Sequence, residues 1–178
     1  MSGGLFVNAL LRETDQRLSA DEVARLQHLH EEAYQRLSAQ VRPLPGAREL
    51  LSYLSGAEVP WAIATSGRME SARSALDMLG IGPEVVVITR DQVSHAKPDP
   101  DLFIAAAERL GMDVGNSVVV GDSVWDMLAS RRARALGVGL LSGGYGQDEL
   151  ERAGAYRVYE DPVDLRRHLY ELGVRVEE

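Results

Sequence analysis

The length of 178 residues with 45% hydrophobic content is enough to bury one good core and a small accessory piece. A formal net charge of -8 and a pI near 5.1, with no run of lysine or arginine, argue against a general nucleic-acid surface. The lack of cysteine removes disulfides, thiolate nucleophiles and cysteine-ligated metal centres together. No apolar run approaches the ~20 residues that span a bilayer, and the N-terminus lacks a signal peptide's basic start and apolar middle, so the expectation is a cytoplasmic chain without a membrane partner.

In chain order, Leu5-Phe6-Val7-Asn8-Ala9-Leu10-Leu11 falls into helical periodicity almost at once. Ser19-Ala20-Asp21-Glu22 makes a capping box, and Val23, Leu26, Leu29, Ala33 and Leu37 form an apolar stripe at helical spacing out to about Ala39. His28 and His30 ride on this helix facing different sides, as ordinary surface or edge residues. Pro43-Leu44-Pro45-Gly46 cannot sit inside a regular helix and marks a boundary between residues 1–42 and 43–178.

Beyond it, helices and strands alternate with short turns, the pattern of a parallel sheet covered by helices. The reading is helix Ala47 to Ser55, strand Trp61 to Ala64, helix Arg68 to Leu79, strand Val85 to Ile88 and a helix from Asp99 to Leu110. Strand Val118 to Val120, helix Trp125 to Arg134, strand Val138 to Leu141, helix Gln147 to Ala153, strand Arg157 to Tyr159 and helix Pro162 to Leu172 complete it.

Three strand ends carry residues with chemical potential. Thr65-Ser66-Gly67 follows a buried strand and precedes a helix, so a hydroxyl and backbone amides can meet an anion there, although an ordinary Ser/Thr N-cap explains most such turns. Lys97 lies between His95-Ala96 and Pro98-Asp99-Pro100, where two prolines hold the segment extended and fix the lysine's direction; alone it reads as a surface lysine. His95 has no evident serine or acid to pair with and reads as a loop residue. Gly121-Asp122-Ser123-Val124-Trp125-Asp126 ends a strand and sets two carboxylates four positions apart as a helix begins. Those acids suit magnesium, which takes one or two protein carboxylates and keeps water and phosphate for the rest of its shell. Ser123 and Asp126 fit a capping box equally well.

Taken together, a strand-terminal hydroxyl, a proline-braced lysine and Gly-Asp-x-x-x-Asp, in that order, resemble the second, third and fourth motifs of the haloacid dehalogenase superfamily. The chain is most similar to the phosphoglycolate-phosphatase-like and phosphoglucomutase-like sub-group with a small helical cap. The resemblance rests on residues 96–103 and 119–126, with Pro45 to Leu51 as the return from cap to core. It implies a Rossmann-like α/β core over 43–178 and a partial helical cap over 1–42. It also implies phosphate binding by Thr65, Ser66, Gly67 and Lys97, catalytic roles for Thr65 and Lys97, and magnesium held by Asp122 and Asp126. The implied substrate is a small phosphorylated metabolite. Two acids in the fourth motif fit a metal-assisted phosphatase better than a halide-displacing enzyme. A response-regulator receiver domain shares the acid, hydroxyl and lysine but in another order, and the glycines at 137–144 lack the turn of a dinucleotide site.

The chain departs from the family in lacking the Asp-x-Asp-Gly-Thr element that supplies the nucleophile after the first strand. The family pattern would place that element before Met1, which therefore reads as an internal methionine of a longer ancestor. The chain alone is expected to be inactive; the alternative is a non-catalytic pseudo-phosphatase that binds a phosphorylated ligand or partner. Without a strand between those ending at Thr65 and Gly121, the sheet is expected to rearrange, to borrow a strand within a homo-oligomer, or to be marginally stable. Ala133-Arg134-Ala135 stands where such sequences often have Ala-Gly, and is expected to crowd the next turn.

Overall fold

A computed structural model describes residues 19–37 and 40–174. The periodic opening at Leu5 to Leu11 lies outside the described residues. Helix α1 runs Ala20–Leu37, with Ser19 accepting from the Glu22 amide at 3.3 Å and the Glu22 carboxylate accepting from the Ser19 amide at 2.8 Å. Among the described residues no helix is long and apolar enough to cross a membrane.

The remaining elements follow the order read from the sequence. They are α2 (Ala47–Gly56), β1 (Ala62–Ala64), α3 (Met69–Leu79), β2 (Val86–Ile88), α4 (Asp101–Arg109), β3 (Val118–Gly121), α5 (Val124–Ala133), β4 (Leu136–Leu140), α6 (Gln147–Ala153), β5 (Ala155–Tyr159) and α7 (Pro162–Arg167). The closing helix is shorter than its periodicity implies. Its last turn narrows to a 3-10 helix, Leu169–Leu172, beyond His168 at φ -113°.

Among the described residues all strand pairs are parallel, and they form two sheets. One has order β1-β2, with Ala62 opposite Val86; the other has order β3-β4-β5, with Val118 opposite Leu136 and Leu140 opposite Tyr159. Among the described residues no strand joins β1 to β3. On β3, Val119 is buried but Val118 and Val120, on the opposite face, remain 40% and 45% exposed.

Helix α4 spans this seam. Its Leu102 and Ala106 pack with Ile88 under β1 and β2, while the adjacent Phe103 packs with Val119, Ala129 and Ala133 under β3 and α5. One helix thus holds both sheets from the same side, which fixes the relative placement of the strand ends that carry the candidate residues. Arg134 closes α5 in the left-handed conformation at φ 62°, the C-terminal position that glycine usually fills.

Candidate active site

Gly121 is where the site begins, because a side chain on it would collide with the Asp126 side chain. Asp126 can therefore fold back under the end of β3. Its Oδ2 accepts from the Ser123 amide at 3.2 Å and from the Ser123 hydroxyl at 2.6 Å, while the Ser123 hydroxyl oxygen accepts from the Asp126 amide at 3.3 Å. The capping box is realised. The other oxygen, Oδ1, lies 2.7 Å from Lys97 Nζ. The pair is well covered, the side chains being 16% and 8% exposed, and Lys97 Nζ also stands 5.2 Å from the centroid of the Phe103 ring. Both carboxylate oxygens of Asp126 are thus engaged by protein groups, whereas Asp122 is exposed to the cleft. The backbone of Asp122 is pressed against Gly143, where any side chain would clash with the Asp122 carbonyl.

Across the seam, the Thr65 amide donates to the Ile88 carbonyl at 2.9 Å and so continues the β1-β2 ladder. Its Oγ1 accepts from the Gly67 amide at 3.1 Å, which leaves the hydroxyl proton to donate outward. The start of α3 is less open than its sequence implies: the Met69 amide donates to Asp91 Oδ2 at 2.9 Å, and Arg68 pairs with Asp91 Oδ1 at 3.0 Å. An anion placed here would meet the Thr65–Gly67 turn ahead of the helix, since Asp91 already occupies the first amide of α3.

Thr65, Ser66, Gly67, Lys97, Asp122 and Asp126 all line one cleft of about 1060 Å³. The wall opposite is built by His30 and Tyr34 of α1 with Arg42 and Pro43. His30, read from sequence as a surface or edge residue, lines the cleft, while His28 lies 3.3 Å from Glu32 on the same helix. His95 corrects another expectation. It is not unpaired: its amide and its Nδ1 both lie 3.0 Å from Asp101 Oδ2. Trp125 also lines the cleft, and its buried indole Nε1 has no hydrogen-bond partner among the described residues.

The composition held one further signal. Of 19 basic residues, Lys97 alone is lysine. Where arginine serves everywhere else, a lone lysine marks a position that calls for a compact point charge rather than a planar fork.

A model of haloacid dehalogenase-like hydrolases matches residues 5–134. Hexitol phosphatase A of Escherichia coli (strain K12) is 37% identical over 114 residues, covering 64% of this chain and 51% of that protein. A phosphoglycolate phosphatase of Caulobacter vibrioides is 34% identical over 131 residues, 73% of this chain and 55% of that protein. The chain spans about half the length of these curated relatives. Among solved structures, a hydrolase from Pseudomonas syringae is 51% identical with a TM-score of 0.91, over 97% of this chain and 79% of that one. A HAD family hydrolase from Deinococcus radiodurans R1, solved with bound phosphate and sodium, is 28% identical with a TM-score of 0.73, over 95% of this chain and 75% of that one. With the family model matching most of its length, and with the strand-end hydroxyl, braced lysine and paired acids gathered in one cleft, the chain belongs to the haloacid dehalogenase-like hydrolases.

Proposed function

We propose that this chain carries the phosphate-handling part of a magnesium-dependent phosphoric monoester hydrolase acting on a small phosphorylated metabolite, and that alone it does not turn over. The observation that carries the reading is the Lys97–Asp126 ion pair, set in one cleft with Thr65 and Asp122. Phosphoryl transfer asks mainly for positioning and charge neutralisation around the equatorial oxygens. Thr65 donates its hydroxyl proton to one such oxygen, with the Ser66 and Gly67 segment beside it. Lys97, pinned by Asp126, presents a fixed positive charge to another. Asp122 and Asp126 fit a magnesium ion, with Asp122 as the open ligand and Asp126 behind it; when bound, the ion supplies further charge neutralisation.

The acids of the cleft also support inactivity of the chain by itself. Asp126 is tied to Lys97 and Ser123, Asp99 lies 3.3 Å from Arg132, and Asp122, exposed to the cleft, would be taken up by the magnesium ion in this reading. None is left in position to attack phosphorus among the described residues. The same commitment favours the second reading, a pseudo-phosphatase that binds a phosphorylated ligand or partner without hydrolysing it. In either reading residues 1–42 would belong to a cap, and a strand borrowed from a second copy would enter between β1 and β3. Light scattering that gives a mass of 19.5 kDa at all concentrations would remove that oligomer.

The lone lysine makes the test direct. Amine-directed methylation is read at Lys97 by peptide mass, with and without inorganic phosphate and magnesium. Protection by phosphate, strengthened by magnesium and losing that increment in Asp122→Asn, is expected; unprotected Lys97 would remove both readings. Incubation with magnesium and a phosphomonoester should show no turnover. Hydrolysis abolished by Lys97→Ala would instead reveal a nucleophile in this chain.

A further inference from the structure

Helix α5 grips the lysine loop twice. At its N-terminal turn Asp126 holds Lys97 Nζ at 2.7 Å. Six residues on, about 9 Å along the helix, Arg132 Nη1 donates to the Pro98 carbonyl at 2.9 Å and lies 3.3 Å from Asp99 Oδ1. We propose that Arg132 is a positioning residue for Lys97, acting through the Pro98 peptide to set the direction from which the lysine reaches Asp126. The inference rests on the reading of Lys97 as the phosphate-facing cation, but its geometry stands independently.

The loop explains why a second grip is needed. His95 is fastened to Asp101, and the Asp99 amide donates to the Ala96 carbonyl at 3.0 Å, so residues 95–101 close on themselves and on the first turn of α4. Those bonds shape the loop without orienting it toward α5. The ties to α5 are the Lys97–Asp126 pair itself and the Arg132 contact. The second ends on the carbonyl one residue beyond the lysine, where a small rotation of the loop would be felt at Nζ as a lost ion pair.

Arg132 and Asp99 have side chains 51% and 48% exposed. An ion pair that open contributes little to global stability. Its effect should therefore be local to Lys97, and that separates positioning from support of the fold.

The experiment uses the full chain labelled with 15N-lysine and 15N-tryptophan, which gives one side-chain ammonium resonance because the sequence has one lysine. The resonance is observed when the ion pair slows exchange of its protons with water. Asp126→Asn should abolish it and serves as the reference for a broken pair. Arg132→Met, which keeps a long apolar stem without donors, is expected to lose it as well. Asp99→Asn, which leaves the Pro98 carbonyl bond in place, should retain it. The indole N–H of Trp61, which donates to Ser55 at 3.0 Å away from the loop, should not move in any variant. A Lys97 resonance that persists in Arg132→Met overturns the proposal, as does its loss together with a displaced Trp61 signal. Phosphate protection of Lys97 is measured separately, so a failure of the phosphate-site reading is distinguishable from a failure of Arg132's role.

Discussion

In the three-stranded sheet Val138 is fully buried and packs with Leu50, Leu140, Tyr159, Leu165 and Leu169, while on its other side Leu150 and Met127 are equally closed off. In the two-stranded sheet every residue of β1 is only half-buried and α3 contributes no buried residue at all. The site draws on both. Asp122 and Asp126 stand on the well-packed side, Thr65 and Ser66 on the shallow side, and Lys97 comes from the loop leading into the helix that spans them. The charged pair thus rests on a firm support, while the hydroxyl facing it rides on an element with little to hold it except α4.

The largest expected effect comes from cutting that link. Leu102 is fully buried and packs with Ile88 beneath β1 and β2, so Leu102→Ala should cost about 2–5 kcal/mol. The loss should fall unevenly. Hydrogen exchange should show amides of β1 and β2 losing protection before those of β4, because local openings follow the density of buried contacts. Equal loss across both sheets would mean that they unfold as one unit and that the seam is not a boundary of stability.

Alkaline pH should reverse the ranking. Burial, followed by the nearby Glu171 charge and the hydrogen bond to it, pushes the Tyr159 phenol up from 10.0 to about 12. The folded-state value lies above the unfolded one, so this contribution to stability is fully present below about pH 10 and is lost as pH rises through about 12. Tyr159 sits on β5, so the three-stranded sheet should weaken first. Denaturant titrations at rising pH should show a decline in that window which Tyr159→Phe flattens; an unchanged decline in the variant would assign it to other groups.

The element order was legible because periodicity, glycine stops and proline starts agree along the core. Helix α6 is bounded by the residues read for it, and β2 stands out by its run of β-branched side chains. The site was legible as three separate strand ends, and the order of those ends made it specific. What escaped is what depends on distant pairing. His95 meets Asp101 because the loop closes on α4, and His30 and Tyr34 reach the cleft because of how α1 returns over it. No local pattern encodes either contact. The capping box of Ser123 and Asp126 was legible in sequence, but the pairing with Lys97 was not: Gly121 lets Asp126 turn inward to Lys97 while Asp122 stays exposed. That division of labour is set by a glycine and a capping serine rather than by spacing.

The smallest effect would sharpen the contrast instead of breaking it. Arg134 adopts φ 62° at the end of α5, and its amide donates to the Ser130 and Arg131 carbonyls. The left-handed conformation costs a residue with a Cβ roughly 1 kcal/mol that glycine does not lose. The turn into β4 is thus achieved with strain, because the backbone bonds that close the helix are kept. Arg134→Gly should stabilise the chain by about 1 kcal/mol, offset in part by glycine's greater freedom when unfolded. Since Arg134 joins α5 to β4, the gain should appear as added exchange protection in β3, β4 and α5, with β1 and β2 unchanged. A gain shared equally by β1 and β2 would show that α4 transmits stability across the seam, and that the lysine loop at its N-terminus is held by both sheets together.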